Sequence, residues 1–442
     1  MRTFRGGVHP DSNKKATCGK PIVDLSPPTE LIYPVAQHIG APAVPCVKTG
    51  DAVLMGQKIA EAAGFVSANL HASVSGTVKA IEKRLHPNGA IVECIIIEND
   101  GLDTPHPSLQ EPDRDYKNLS AKEIVDIIQD AGIVGMGGAT FPTHVKLSPP
   151  PEAKIDKVIV NGAECEPYLT SDHRAMLETP DEILNGLAII LQIFGLEEGY
   201  IGIENNKPDA IARMKEAAKA FTDKKINIVT LKTKYPQGAE KQLINAVSGR
   251  KVKPGQLPWQ TGCIVSNIDT VASIARAVIH RQPLMQRIVT LGGEALNNPM
   301  NYRTRIGTPF SYLVEQSGGL KAEPKKVLMG GPMMGTAVPN LDVPVIKGTS
   351  GVLVLDEKKA WLEKETACVR CSKCLYVCPM KLQPNLLDLS ARNDDFENLN
   401  KLYVMDCIEC GSCAYVCPSR RRQVQQIKVA KVKMRNAQTK AK

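Results

Sequence analysis

Eight of the 13 cysteines fall between Cys368 and Cys417, in two runs of identical spacing. Cys368, Cys371, Cys374 and Cys378 precede Pro379, and Cys407, Cys410, Cys413 and Cys417 precede Pro418. Each run reads Cys-x-x-Cys-x-x-Cys-x-x-x-Cys-Pro, the bacterial iron–sulfur spacing. Three close thiolates wrap one face of a cubane, and the fourth sits too far along the chain to join them. The spacing therefore predicts one [4Fe–4S] cluster on Cys368, Cys371, Cys374 and Cys417. A second falls to Cys407, Cys410, Cys413 and Cys378. Zinc also takes four thiolates, but its sites usually use paired Cys-x-x-Cys knuckles. The five scattered cysteines, Cys18, Cys46, Cys94, Cys165 and Cys263, read as buried small hydrophobes.

Two loops could bind a second group. GIVGMGGATFPTHVK carries Gly132, Gly135, Gly137 and Gly138, a density that lets backbone amides approach a phosphate or a flat ring. A structural turn is the plain alternative. NGAECEPY follows an apolar run at 157–160 and places Asn161, Glu164, Glu166 and Tyr168 together. At the C-terminal edge of a parallel sheet, open α/β folds bind ligands. Buried carboxylates there need donors such as ribose or ribityl hydroxyls. A solvated acidic loop is the alternative. His144 and His173 lie near these loops but read as structural.

The elements that must position these groups divide the 442 residues into a multidomain α/β chain. Residues 1–115 alternate in short strands broken by glycines and end in a linker rich in Pro and Asp. GDAVLMGQ followed by SGTV resembles the lipoyl and biotinyl barrel-sandwich domains, yet no lysine lies between Lys58 and Lys79 to carry a swinging arm. Residues 116–285 alternate strands and helices, which predicts a parallel sheet with helices packed on it. Residues 286–356 read as a small β-grasp module and 357–419 as a helical two-cluster domain. Residues 420–442 hold nine basic side chains and no acid, against a formal net charge of +9 for the whole chain. Such a tail suits an acidic partner or anionic lipid, or is a solvated, frayed end. No apolar run is long enough to span a membrane, and MRTFRGGVHP lacks the apolar core of a secretory signal.

GMGGATFPTHVK, NGAECEPYLTSDHR, PQGAEKQL and SNIDTVASIA together resemble the flavin- and NADH-binding subunit of respiratory complex I. With FRGGVHP and the order of modules, the chain is more similar still to the C subunit of the Rnf complex, and the resemblance covers essentially its whole length. It implies a barrel-sandwich β domain, a Rossmann-like FMN/NADH domain, an SLBB β-grasp module and a ferredoxin-like two-cluster domain. Gly135, Gly137 and Gly138 would line non-covalent FMN and the nucleotide, Lys146 would contact the flavin, and Phe141 would stack on the base. Asn161, Glu164 and Glu166 would hold flavin and ribose, beside Tyr168. Gly238, Glu240, Asn267 and Thr270 would complete the FMN cradle, although Lys241 and Ser266 differ from the complex I pattern.

The implied activity is that of a ferredoxin:NAD+ oxidoreductase subunit, passing electrons through the clusters and FMN to NAD(H). In the Rnf family this drives Na+ or H+ translocation by membrane subunits. The implied place is peripheral, on the cytoplasmic side of the membrane, with those subunits and ferredoxin as partners and no role for nucleic acid. Two other readings stay open: a cobalamin reductase built from related modules, and a non-catalytic iron–sulfur relay or scaffold.

Overall fold

The computed structural model describes residues 1–440, with side chains described to residue 437. Lys442, and the side chain of Lys440, lie outside the described part of the basic segment.

The N-terminal β domain is built on two sheets. Glu30–Pro34, Ile91–Asn99, Gly76–Leu85 and Ala52–Val53 form one; Val44–Pro45, Lys58–Glu61 and Leu70–His71 form the other. Leu31, Tyr33, Ile59, Ile95 and Ile97 are fully buried in its core. The connection after Glu61 carries Phe65 and no lysine. It rests on the helix Thr143–Lys146: His144 Nε2 meets Phe65 O at 2.9 Å, and the two rings stand edge to face at 5.9 Å.

The α/β domain carries a four-stranded parallel sheet in the order Lys225–Leu231, Glu198–Glu204, Lys157–Gly162, Cys263–Asn267. The apolar run at 157–160 is continuous because both faces of its strand are covered. Val158 and Val160 join the core with the helices Pro180–Ile193 and Ile268–Val278, while Ile159 meets Leu243, Ile244 and Val247 of Glu240–Ser248. The alternation of strands and helices expected of this domain is present. The strand Cys263–Asn267 and the helices Thr143–Lys146 and Ser171–Glu178 add to it, the last directly after the acidic loop.

The next sheet has six strands, and one of them comes from far away in sequence. Ile22–Asp24 pairs in parallel with Met300–Arg305 at the sheet edge. Patterning within residues 286–356 cannot reveal this strand, because it is supplied by the N-terminal segment.

The described part of the basic segment, from Arg420 to Lys440, is not a frayed tail. It forms the helix Gln423–Lys440, and Ile427, Ala430 and Met434 pack with Leu387 and Ala391 of Pro384–Arg392. Its charges are also used: Arg421 pairs with Asp388 at 2.6 Å, Lys433 with Asp394 at 2.6 Å, and Lys431 donates to Cys407 O at 2.9 Å. Among the described residues, no helix is long and apolar enough to cross a membrane.

Candidate functional site

The glycine loop lies over the C-terminal edge of the parallel sheet. Met136 N donates to Thr270 Oγ1 at 2.9 Å, and a side chain at Gly137 would put its Cβ 2.9 Å from Asn267 Cβ. Glycine is needed there for the loop to close this far. Gly137 and Gly138 stay exposed at the mouth, and Phe141 is half-buried beside Gly135, whose N–H donates to Phe141 O at 2.9 Å. Lys146 ties three segments together, donating to Glu240 Oε1 and Val265 O, both at 2.9 Å. Asn161 Nδ2 reaches Gly238 O at 2.8 Å, and Asn267 Oδ1 caps the helix Ile268–Val278. Gly135, Gly137, Gly138, Phe141, Lys146, Asn161, Glu164, Gly238, Glu240, Asn267 and Thr270 thus meet at one sheet edge.

The acidic loop is held from beneath by two buried lysines that motif spacing could not flag. Lys14 Nζ donates to Glu164 O and Glu166 O at 2.9 Å and to Leu169 O, and lies 3.7 Å from Glu164 Oε2. Lys207 donates to Ala163 O at 2.7 Å. Both cations hold the loop by its carbonyls, which keeps Glu164 and Tyr168 in the left-handed region at φ +46° and +67°. Burial pulls the Lys14 pKa down against the pull of Glu164. Burial also pushes Asp172 up to about 8, helped by Glu164 and Asp269 and opposed by Arg287. Asp172 donates its N–H to Glu164 Oε1 at 2.7 Å and accepts from Asn267 Nδ2 at 2.7 Å.

Two of the expected cofactor contacts are spent elsewhere. Tyr168 turns to the β-grasp module, where its hydroxyl donates to Glu294 at 2.7 Å and its ring packs with Leu353. Glu166 accepts from Met333 N and Met334 N at 3.0 Å, and burial raises its pKa to about 7. His144 and His173 are structural: the first holds Phe65, and the second pairs with Asp209 at 2.9 Å. Cys94 and Cys263 are buried as expected. Cys46 is exposed and Cys18 and Cys165 are half-buried, which corrects the expectation for these three; Cys165 accepts from Gly238 N at 3.3 Å within the site.

A polar ligand fits this edge. Glu164 Oε2, Gln237 Nε2 and Ser266 Oγ are buried and have no hydrogen-bond partner within the protein. Burying three such groups is costly unless a ligand supplies donors and acceptors, as a sugar or ribityl chain does.

The cysteine runs are built as copies. Arg370 and Glu409, Ser372 and Gly411, and Lys381 and Arg420 occupy matching positions, and all six have left-handed backbones. Such turns aim N–H groups inward: Glu409 N reaches Cys407 Sγ at 3.4 Å, and Leu382 N reaches Cys378 Sγ at 3.3 Å. Cys378, Cys407, Cys410 and Cys413 line one small cavity of about 20 Å³, closed by Leu382, Val424 and Ile427. Burial and mutual repulsion raise the Cys378 and Cys413 thiols and push Cys407 up to about 11. Cys374 is raised by burial and by its neighbour Cys417. The fourth cysteine of each run therefore sits with the other run. Thiols this crowded ionise readily only around a cationic group, and the donor set suits iron. Among the described residues no three potential ligands converge on a single-ion position; these thiols instead spread around the cavity wall.

Several hydrogen bonds join the α/β domain to the cysteine-bearing domain. Tyr235 Oη contacts Cys410 O at 2.7 Å, and Gln242 Nε2 contacts Pro379 O at 3.4 Å.

Family models match the chain in the order expected. An RnfC barrel sandwich hybrid domain covers residues 2–102, and a Nuo51 FMN-binding domain 128–276. An SLBB domain covers 288–337, and a 4Fe-4S dicluster domain 360–418. The C subunit of a proton-translocating ferredoxin:NAD(+) oxidoreductase complex from Clostridium ljungdahlii is 49% identical over 438 residues, 99% of this chain and 95% of that protein. An Na(+)-translocating counterpart from Acetobacterium woodii is 48% identical over 432 residues, 97% of this chain and 96% of that protein. In fold, the chain is similar to an NAD+-reducing [NiFe]-hydrogenase structure in the H2-reduced state. The TM-score is 0.50 at 17% identity, covering 73% of this chain and 64% of that one. The module order sets aside the cobalamin reductase reading. On identity across essentially its full length, the chain belongs to the Rnf family of C subunits from ion-translocating ferredoxin:NAD(+) oxidoreductase complexes.

Proposed function

We propose that this chain is the NAD-reducing subunit of a membrane-bound complex that passes electrons from reduced ferredoxin to NAD+ and so drives Na+ or H+ across the membrane. It would sit peripherally on the cytoplasmic side, where NAD(H) and ferredoxin are found. The supporting observation is that the acidic-loop side of the FMN-binding domain and the second cysteine run are packed against each other, joined through Tyr235 and Cys410.

Cys368, Cys371, Cys374 and Cys417 would hold one [4Fe–4S] cluster, and Cys407, Cys410, Cys413 and Cys378 the other. The exposure of Cys368 and Cys371 makes the first the entry point for electrons. FMN, when bound, exchanges a hydride with NAD(H) and single electrons with clusters. The chain's own residues prepare that exchange. The exposed backbone of Gly137 and Gly138 would approach the ligand, and Glu164 Oε2, which has no hydrogen-bond partner within the protein, would accept from a sugar hydroxyl while Lys14 balances its charge. Lys146 and Asn161 hold the surrounding loops in register. Lys14 and Lys207 fix the acidic loop, so its carboxylates need not reorganise when the nucleotide arrives.

Protein purified anaerobically is expected to hold about eight irons, and NADH is expected to bleach its flavin. Zinc in place of iron would sink the cluster reading. A flavin reduced by dithionite but not by NADH would sink the nucleotide reading.

A further inference from the structure

Tyr235 lies between the strand Lys225–Leu231 and the helix Glu240–Ser248, with its ring fully buried. Its backbone is clamped by Val8, which exchanges both hydrogen bonds with it at 2.8 and 2.9 Å. Its hydroxyl stands 2.7 Å from Cys410 O and 3.3 Å from Glu166 Oε1. A phenol carries one proton, and the shorter contact takes it. The other side of the junction is equally fixed: the Glu166 carboxylate is anchored by Met333 N and Met334 N. Gly411, next to Cys410, lies so close to this loop that an added Cβ would stand 3.1 Å from Met333 O. Flavin domain, β-grasp module and cysteine run meet at this one hydroxyl.

We infer that Tyr235 is a positioning residue for the second cluster: its O–H fixes the Cys410 turn against the acidic loop and holds that cluster's reduction potential up. The inference rests on the cluster reading above. The physical reason is the direction of the O–H dipole. Its positive end points at the peptide of a cluster ligand, which favours the more negative, reduced cluster. The first cluster has no such contact with Tyr235.

The test is a potentiometric titration of full-length, iron-loaded protein followed by electron paramagnetic resonance. In Tyr235→Phe, the reduced-to-oxidised ratio of one cluster at fixed potential is expected to fall by roughly tenfold, about 59 mV for one electron. The other cluster is expected to stay in place, with iron content unchanged. Potentials that do not move, or that move equally for both clusters, overturn the inference. Glu166→Gln removes the charge that competes for the phenol proton, which then stays hydrogen-bonded to Cys410 O, so the same cluster is expected to shift upward. If Tyr235→Phe loses iron, Glu166→Gln decides: no movement, or a fall, overturns the inference. Iron missing from the unsubstituted protein would overturn the cluster reading and this inference together, whereas iron present with unmoved potentials overturns this inference alone.

Discussion

Asp172 sits one residue into the helix Ser171–Glu178 beside Glu164 and Asp269, and Arg287 and the Asn267 amide offset the crowding of carboxylates. Its carboxyl, 3.8 when free, rises to about 8 in the fold. The folded protein therefore keeps a proton that the unfolded chain has released. That contribution to stability is full below pH ~4 and is lost as pH rises through about 8, on the order of a few kcal/mol across the window. Asp172→Asn cannot titrate, yet it keeps an oxygen for Asn267 Nδ2. Urea unfolding between pH 5 and 9 is expected to show a flatter dependence in the variant; equal slopes would remove the burial argument. The NGAECEPYLTSDHR motif contains this residue but does not mark its role, because Asn267, Asp269 and Arg287 come from about 100 residues away. Lys14 is hidden for the same reason. The cysteines were legible because their ligand spacing is local, and Asn161, Glu164 and Lys146 because they sit in compact motifs. Tyr168 and Glu166 belong to the same motif but are drawn off by Glu294 and by Met333 and Met334, partners that no local pattern contains.

At the scale of elements, the two cysteine runs are one turn-and-helix unit used twice, with left-handed residues at matching positions. Spacing alone predicts that each run donates its last thiol to the other. The crowding of Cys378 with Cys407, Cys410 and Cys413 agrees with that exchange. Cys378→Ala is therefore expected to remove the cluster on the second run, taking about half the iron and one of two paramagnetic signals. Cys417→Ala is expected to remove the other signal. Loss of the signal from the same run in each case would reverse the assignment. The C-terminal helix was less legible. Val424, Ile427, Ala430 and Met434 do recur at helical spacing, but the density of lysine and arginine around them reads as a solvated tail. The charges are neutralised by Asp388, Asp394 and Glu409 on elements that sequence pattern alone does not bring near.

Across the whole molecule, the first 24 residues act as a strap. Gly7 N donates to Val377 O at 2.7 Å, one residue before Cys378, and Val8 clamps Tyr235. Lys14 supports the acidic loop, and Ile22–Asp24 completes the β-grasp sheet. A resemblance over FRGGVHP marks the strap without explaining it; the explanation is its contacts with three other modules. Gly7 tests this role. At φ +81°, an added Cβ would lie 2.5 Å from Tyr235 O and 2.8 Å from Phe4 Cζ. Gly89 also has a left-handed backbone, at φ +88°, but an added Cβ there meets nothing within 4 Å. Gly89→Ala therefore isolates the backbone cost, roughly 1–2 kcal/mol, and is expected to leave iron and flavin content unchanged. Gly7→Ala carries that cost plus the collision with the flavin domain. It is expected to unfold at clearly lower temperature than Gly89→Ala, and to lose iron on dilution because the first cysteine run is pushed off its seat. If the two variants matched in both melting temperature and iron retention, the strap would be a passenger, and the domains would be held together by their own faces alone.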